Sequence, residues 1–127
     1  MTPPIFAVCA LDAGVTALLG ADVVRLFPFG MAPQNVTRPY AVWQVIGGQP
    51  ENFLAGRPDA ATFNIQVDVY GDSADSVRAV AKAIQQAVEL DATVTAYRGE
   101  SREQSTMLHR TSFDVDWIVL AADDSSS

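Results

Sequence analysis

The sequence predicts an α+β domain: a mostly antiparallel sheet of about five strands, with two helices packed on one face, in the order α-β-β-β-α-β-β. Three observations carry this reading. Two segments, near residues 5–19 and 77–88, repeat apolar residues at three- and four-residue spacing, the period of one helix face. Two others, Phe63–Val69 and Phe113–Val119, place apolar residues at every second position, the period of a strand. The links between strands are mostly of hairpin length, which favours antiparallel neighbours.

The first helix is expected over residues 5–19, with Ile5, Val8, Cys9, Val15, Leu18 and Leu19 on its buried stripe. Pro3 and Pro4 suit its entry, and Gly20 suits a left-handed cap at its end. Gly14 weakens its middle by about 1 kcal/mol relative to alanine. A short strand at Val23–Phe27 leads into the stretch from Pro28 to Pro39, where three prolines and a glycine oppose regular structure. Tyr40–Ile46 reads as a strand apolar on both faces, with Tyr40, Val42 and Ile46 on one and Ala41, Trp43 and Val45 on the other. Such a strand is covered on both sides or buries its second face in a partner.

Gly47–Asp59 breaks the pattern with Gly47, Gly48, Pro50, Gly56 and Pro58, yet carries Phe53 and Leu54. Ala61–Tyr70 is a half-buried strand, with Phe63, Ile65, Val67 and Val69 inward and Thr62, Asn64, Gln66, Asp68 and Tyr70 outward. Asp72 or Ser73 caps the second helix, whose buried stripe is Val77, Val80, Ala81, Ile84 and Val88. Thr93–Tyr97 is a weaker strand and Gly99–Thr106 a polar hairpin tip. The last strand runs from about Leu108 to Leu120, with Phe113, Val115, Trp117 and Val119 inward and Ser112, Asp114 and Asp116 outward. Helices on one sheet face leave the other uncovered, and apolar residues around Trp43 then argue for self-association. Residues 1–122 are expected to form one domain, and 123–127 a disordered acidic tail.

Composition narrows the function classes. The chain has 127 residues, 49% hydrophobic and 18% charged, enough for an independent core and too apolar for a disordered chain. Eight Lys and Arg against fifteen Asp and Glu give a formal charge of −7. With its basic residues scattered and a single Lys, the chain lacks the clustered cations that grip nucleic acid or an anionic membrane. No apolar run approaches the ~18 residues of a membrane span. The N-terminus carries no signal-peptide pattern, so a soluble cytosolic protein is expected. The one cysteine, Cys9, reads as a small buried hydrophobe.

Catalytic chemistry finds little support. His109 is the sole histidine, and strand spacing puts Ser112 and Asp114 on the face opposite to it, which denies a triad. Asp68, Asp114 and Asp116 lie on polar strand faces and would form an oxygen-ligand cation site only if they converged; the plainer reading is a solvated acidic face. No phosphate-cradling glycine pattern is present. The expectation is no enzyme, no cofactor and no metal.

Several stretches, in order and across nearly the whole chain, resemble one family. They are Val15–Gly20, Val24–Pro28, Met31–Gln34, Arg38–Trp43, Phe63–Tyr70 with the helix after it, and Arg110–Val115. Together they are similar to the tail terminator, or tail completion, proteins of long-tailed phages, prophages and gene transfer agents. The resemblance implies a structural virion protein, typically a hexameric ring at the head-proximal end of the tail tube. The ring stops tube polymerisation and joins the tail to the head connector, so the implied location is the virion tail, after assembly in the host cytoplasm. The implied partners are copies of the chain, the tail tube protein and a connector or stopper protein. DNA passes through without specific binding, and no membrane is involved. The acidic Asp123–Ser127 end and Leu108-His109 depart from the pattern.

The candidate subunit and partner contacts are Met31, Trp43, Phe53, Leu54, Arg57 and Tyr70, since aromatic and Arg residues are the usual interface anchors. Asp68, Asp114 and Asp116 are the candidate lumen-facing acids, which would repel passing DNA. The alternatives are another neck component, a stopper or head–tail adaptor, and a small-molecule binding module.

Overall fold

The first apolar stripe is carried by two short helices rather than one. In the computed structural model, which describes residues 3–51 and 60–120, α1 spans Ile5–Ala10 and α2 spans Ala13–Leu19. The break falls at Leu11-Asp12 because Asp12 is extended and its carboxylate accepts the Val15 N–H at 3.0 Å. A short acidic side chain thus offers the backbone an alternative to the helical ladder and restarts the helix two residues on. Ile5, Cys9, Val15 and Leu19 are nevertheless all buried, so the stripe survives the break.

Gly20 ends α2 with φ 103°, and a Cβ there would stand 2.6 Å from the Val23 carbonyl oxygen. Only glycine tolerates that approach. Arg25 then ties the turn down, donating from Nη2 to the Leu18 carbonyl at 3.1 Å and from Nε to the Pro39 carbonyl at 2.9 Å.

Five strands follow: β1 (Leu26–Pro28), β2 (Tyr40–Glu51), β3 (Ala60–Gly71), β4 (Thr93–Arg102) and β5 (His109–Leu120), with α3 (Ala74–Val88) between β3 and β4. The sheet order is β1-β2-β3-β5-β4. Three pairings are antiparallel, as expected; β1 pairs parallel to β2, so the sheet is mixed. The 29–39 connection exceeds a hairpin and carries the chain back to begin β2 beside the start of β1.

Both β2 and β4 outrun their expected ends. In β2 the register shifts between Val45 and Gly47, and the ladder then continues to Glu51. Beyond Trp43, β2 has no described outer neighbour, so Pro50 sits on an open edge where its missing N–H costs no ladder bond. In β4 two register shifts, one beside Gly99 at φ 89°, carry the strand through residues read as a hairpin tip.

Among the described residues three helices, not two, lie on one side of the sheet. α3 packs on β3, β4 and β5, and α1 and α2 pack on α3. Ser73 caps α3, accepting the Ser76 N–H at 3.1 Å, and all five residues of its expected stripe are buried. They meet Ile65, Val67 and Val69 of β3 and Phe113, Val115, Trp117 and Val119 of β5 in one core. Among the described residues no helix is long and apolar enough to cross a membrane.

Two outcomes test this description. Asp12→Ala removes the cap at the α1–α2 break and is expected to cost about 1 kcal/mol in urea unfolding. Burial, reinforced by the Asp12 charge, pushes the Cys9 thiol up to about 12. A thiol reagent at pH 8 should therefore leave the folded protein unmodified and react once denaturant is added.

Candidate functional site

The ladder settles which side chains share a face. Trp43 pairs with Val67, and Val67 with Phe113, so Trp43 points to the helix-covered side with the core. This corrects the expectation that Trp43 helps form an apolar uncovered face. The uncovered face is mainly polar, although the ladder also places Val42 and the exposed Ile118 on it. It is built from Tyr40 of β2, Asn64, Gln66, Asp68 and Tyr70 of β3, and Arg110, Ser112, Asp114 and Asp116 of β5.

Nor is that face a solvated acidic surface, because its side chains cover one another. Asp68, Ser112 and Asp114 are only 5%, 7% and 8% exposed. Asp68 accepts from Ser112 Oγ, from Arg110 Nη2 at 3.0 Å and from Gln66 Nε2 at 3.1 Å. Asp114 takes a two-point contact from Arg98 of β4, Nε at 2.8 Å and Nη2 at 2.7 Å. Asp116 accepts from Asn64 Nδ2. These hydrogen bonds hold the Arg98 and Arg110 guanidinium groups above their ordinary range, each through its own aspartate. Tyr40 and Tyr70 stack with centroids 5.2 Å apart, and the Arg110 guanidinium lies 6.0 Å from the Tyr70 ring centre. A buried carboxylate is tolerated only when paired and hydrogen-bonded, and each acid here has its own donors.

The six candidate contact residues divide three ways. Met31 and Trp43 come together in an open apolar groove of about 590 Å³, beside β1 and the end of α1. Phe6, Val23, Leu26 and Phe27 are its other large apolar walls, and Asp22 is its one charged wall residue. Val23, Met31 and Phe6 are 70%, 68% and 46% exposed, a cluster of apolar surface at one edge of the molecule. The Trp43 indole N–H is buried without an acceptor among the described residues. Tyr70 lies on the other side of the sheet, in the polar face. Phe53, Leu54 and Arg57 lie outside the described residues.

Phe6 and Val23 are the groove residues that sequence reasoning missed. Phe6 follows Ile5 directly, one position off the buried stripe, and a bulky aromatic there was the available signal. Val23 was read as a strand residue, but β1 starts only at Leu26.

For chemistry, the two sheet faces keep the polar groups apart. Ser112 donates to Asp68 on the polar face, whereas His109 is two ladder steps from Thr111 and shares the side of Phe113. Among the described residues no three His, Cys, Asp or Glu side chains converge as a metal site.

Comparison with known proteins bears on this arrangement. The family model described as "Tail completion protein gp17" matches residues 3–120. Among solved structures, a chain in the virion of a native gene transfer agent particle shares the fold, with a TM-score of 0.68 at 15% identity and 92% of each chain covered. No curated protein matches.

Arg110→Ala takes the cation from the Asp68 carboxylate and leaves it only the neutral donors Ser112 and Gln66. Arg110 is 35% exposed, so water recovers part of the loss, and about 1–3 kcal/mol of destabilisation is expected. Arg78→Ala breaks the solvent-exposed Arg78–Glu100 pair and should cost clearly less, because water and salt screen an exposed pair. Urea titrations of the two variants check the difference; equal losses would mean that the polar face contributes no more than an ordinary surface.

Proposed function

Since the chain belongs to the tail completion protein gp17 family, whose members are structural proteins of phage tails, we propose that it acts as a tail terminator. In this reading, copies of the chain close into a ring, six by the family resemblance, on the head-proximal end of a tail tube. The ring stops tube growth and presents a surface to the head connector. The observation that carries the assembly reading is the exposed apolar cluster of Phe6, Val23 and Met31 around the groove, since such patches mark protein contacts. A small-molecule site of this size would also need several convergent polar groups, and Asp22 is the one charged residue of the lining.

The polar sheet face is the candidate channel wall, with Asp68, Asp114 and Asp116 facing the lumen. Arginine pairing changes what these acids offer. Asp68 and Asp114 are matched by Arg110 and Arg98, so the face presents a hydrophilic and nearly neutral wall along which DNA slides. Asp116 is bonded to the neutral Asn64 rather than to an arginine.

Deletion of the gene in a particle-producing strain, followed by electron microscopy of the lysate, tests the role. Free heads beside tails of uncontrolled length are expected. Tails of normal length that fail to join heads would point to a stopper or adaptor, and intact particles would overturn the tail role. Asp116→Lys should slow DNA ejection from assembled particles; an unchanged ejection rate would remove this face from the channel wall.

A further inference from the structure

We propose that the apolar groove beside β1 is the receptor for Phe53 and Leu54 of a neighbouring copy of this chain. The inference rests on the ring reading above and names the contact that would link one subunit to the next. The groove is formed almost wholly of apolar side chains, with Asp22 as its one charge, and Asp22 makes no ion pair among the described residues. The segment between Glu51 and Ala60 reads Asn-Phe-Leu-Ala-Gly-Arg-Pro-Asp. It supplies two bulky apolar side chains and, three residues beyond Leu54, a cation, Arg57, to meet Asp22 at the rim.

Chain length decides that the groove's occupant comes from another copy. Trp43 forms one wall of the groove, and the β2–β3 ladder runs on from the Trp43↔Val67 pair to the Glu51↔Ala60 pair. At the rise of an antiparallel strand, those eight residues place the start of the segment about 27 Å from Trp43. Leu54, three residues past Glu51, extends about 10 Å at full stretch, well short of the groove on its own subunit. The residues after Leu120 are a poor alternative occupant. They leave from the same end of the sheet, since Leu120 pairs with Ala60. Their sequence, Ala-Ala-Asp-Asp-Ser-Ser-Ser, has no bulky apolar side chain and two acids that Asp22 would repel.

Arm and groove are different surfaces of the same molecule, so the contact is head-to-tail. Repeated around an axis it closes a ring, in which every subunit gives one arm and receives one. Burial of Phe6, Val23 and Met31 under the incoming side chains removes their apolar surface from water.

Cysteine cross-linking in assembled particles tests this. Val23→Cys and Leu54→Cys are introduced together into the full chain, particles are treated with a short bismaleimide, and the protein is run on a denaturing gel. Cys9 is fully buried and does not compete. A ladder of covalent dimers and higher species is expected, absent from either single variant. An internal link within one chain, or monomer alone in particles whose tails have controlled length, would overturn the arm-in-groove contact and leave the terminator reading standing. That reading fails separately, on the deletion result. As a second measurement, the paired change Phe53→Ala and Leu54→Ala leaves the described core untouched. It should keep the melting temperature of the purified protein while reducing its incorporation into particles at least tenfold; unchanged incorporation would overturn the proposal.

Discussion

The register between β3 and β5 constrains everything else in this molecule. Ile65 stands against Val115 and Val67 against Phe113, so both strands turn their apolar residues to the helices. The same pairing sets Asp68 against Ser112 and Gln66 against Asp114 on the opposite side. A slip of one residue would bury the acids under α3 and expose the core, because side chains alternate strictly along a strand. The Ser112–Asp68 and Asn64–Asp116 hydrogen bonds, both across this pair of strands, hold the polar side of the same register.

That single pairing divides the molecule into surfaces with different uses. On one side the helices complete the core, and α1 leaves a gap toward the β1 edge, where Phe6, Val23 and Met31 remain in water. On the other, tyrosine stacking and arginine–aspartate pairs form a polar surface that satisfies itself without a covering layer. An assembly protein needs such a division. The proposed role draws on both: exposed apolar surface for contact with a neighbour, and a hydrophilic, charge-paired surface for passing DNA. The short parallel β1 matters here as well, since it stops at Pro28 and leaves the rest of the β2 edge open.

The strongly periodic elements were legible from residues alone. The stripe Val77, Val80, Ala81, Ile84 and Val88 and the inward sets of β3 and β5 fell in the core, with Phe63 partly buried against it, because a period repeated over many residues admits one buried face. Local competition was harder to see. Asp12 reads as one polar residue in a helical stripe until its carboxylate is found capping Val15, and Gly47, Gly48 and Pro50 read as a loop until β2 proves to have a free edge there. The contact residues fared unevenly for the same reason. Met31 and Trp43 meet in one groove, but Tyr70, equally aromatic and equally eligible by type, lies across the sheet.

From sequence alone came the α+β class, the buried faces of α3, β3 and β5, and the likeness to a tail completion family. These follow from periodicity, residue chemistry and ordered motifs, all of which are properties of the chain read along its length. Tertiary structure decided which side of β2 carries Trp43, that β1 joins in parallel, that Asp68 and Asp114 are buried and charge-paired, and that Phe6 and Val23 share a groove with Met31. Each of these depends on which strand lies beside which, and in what register; an apolar strand with two apolar faces does not reveal its inner one until its neighbour is known.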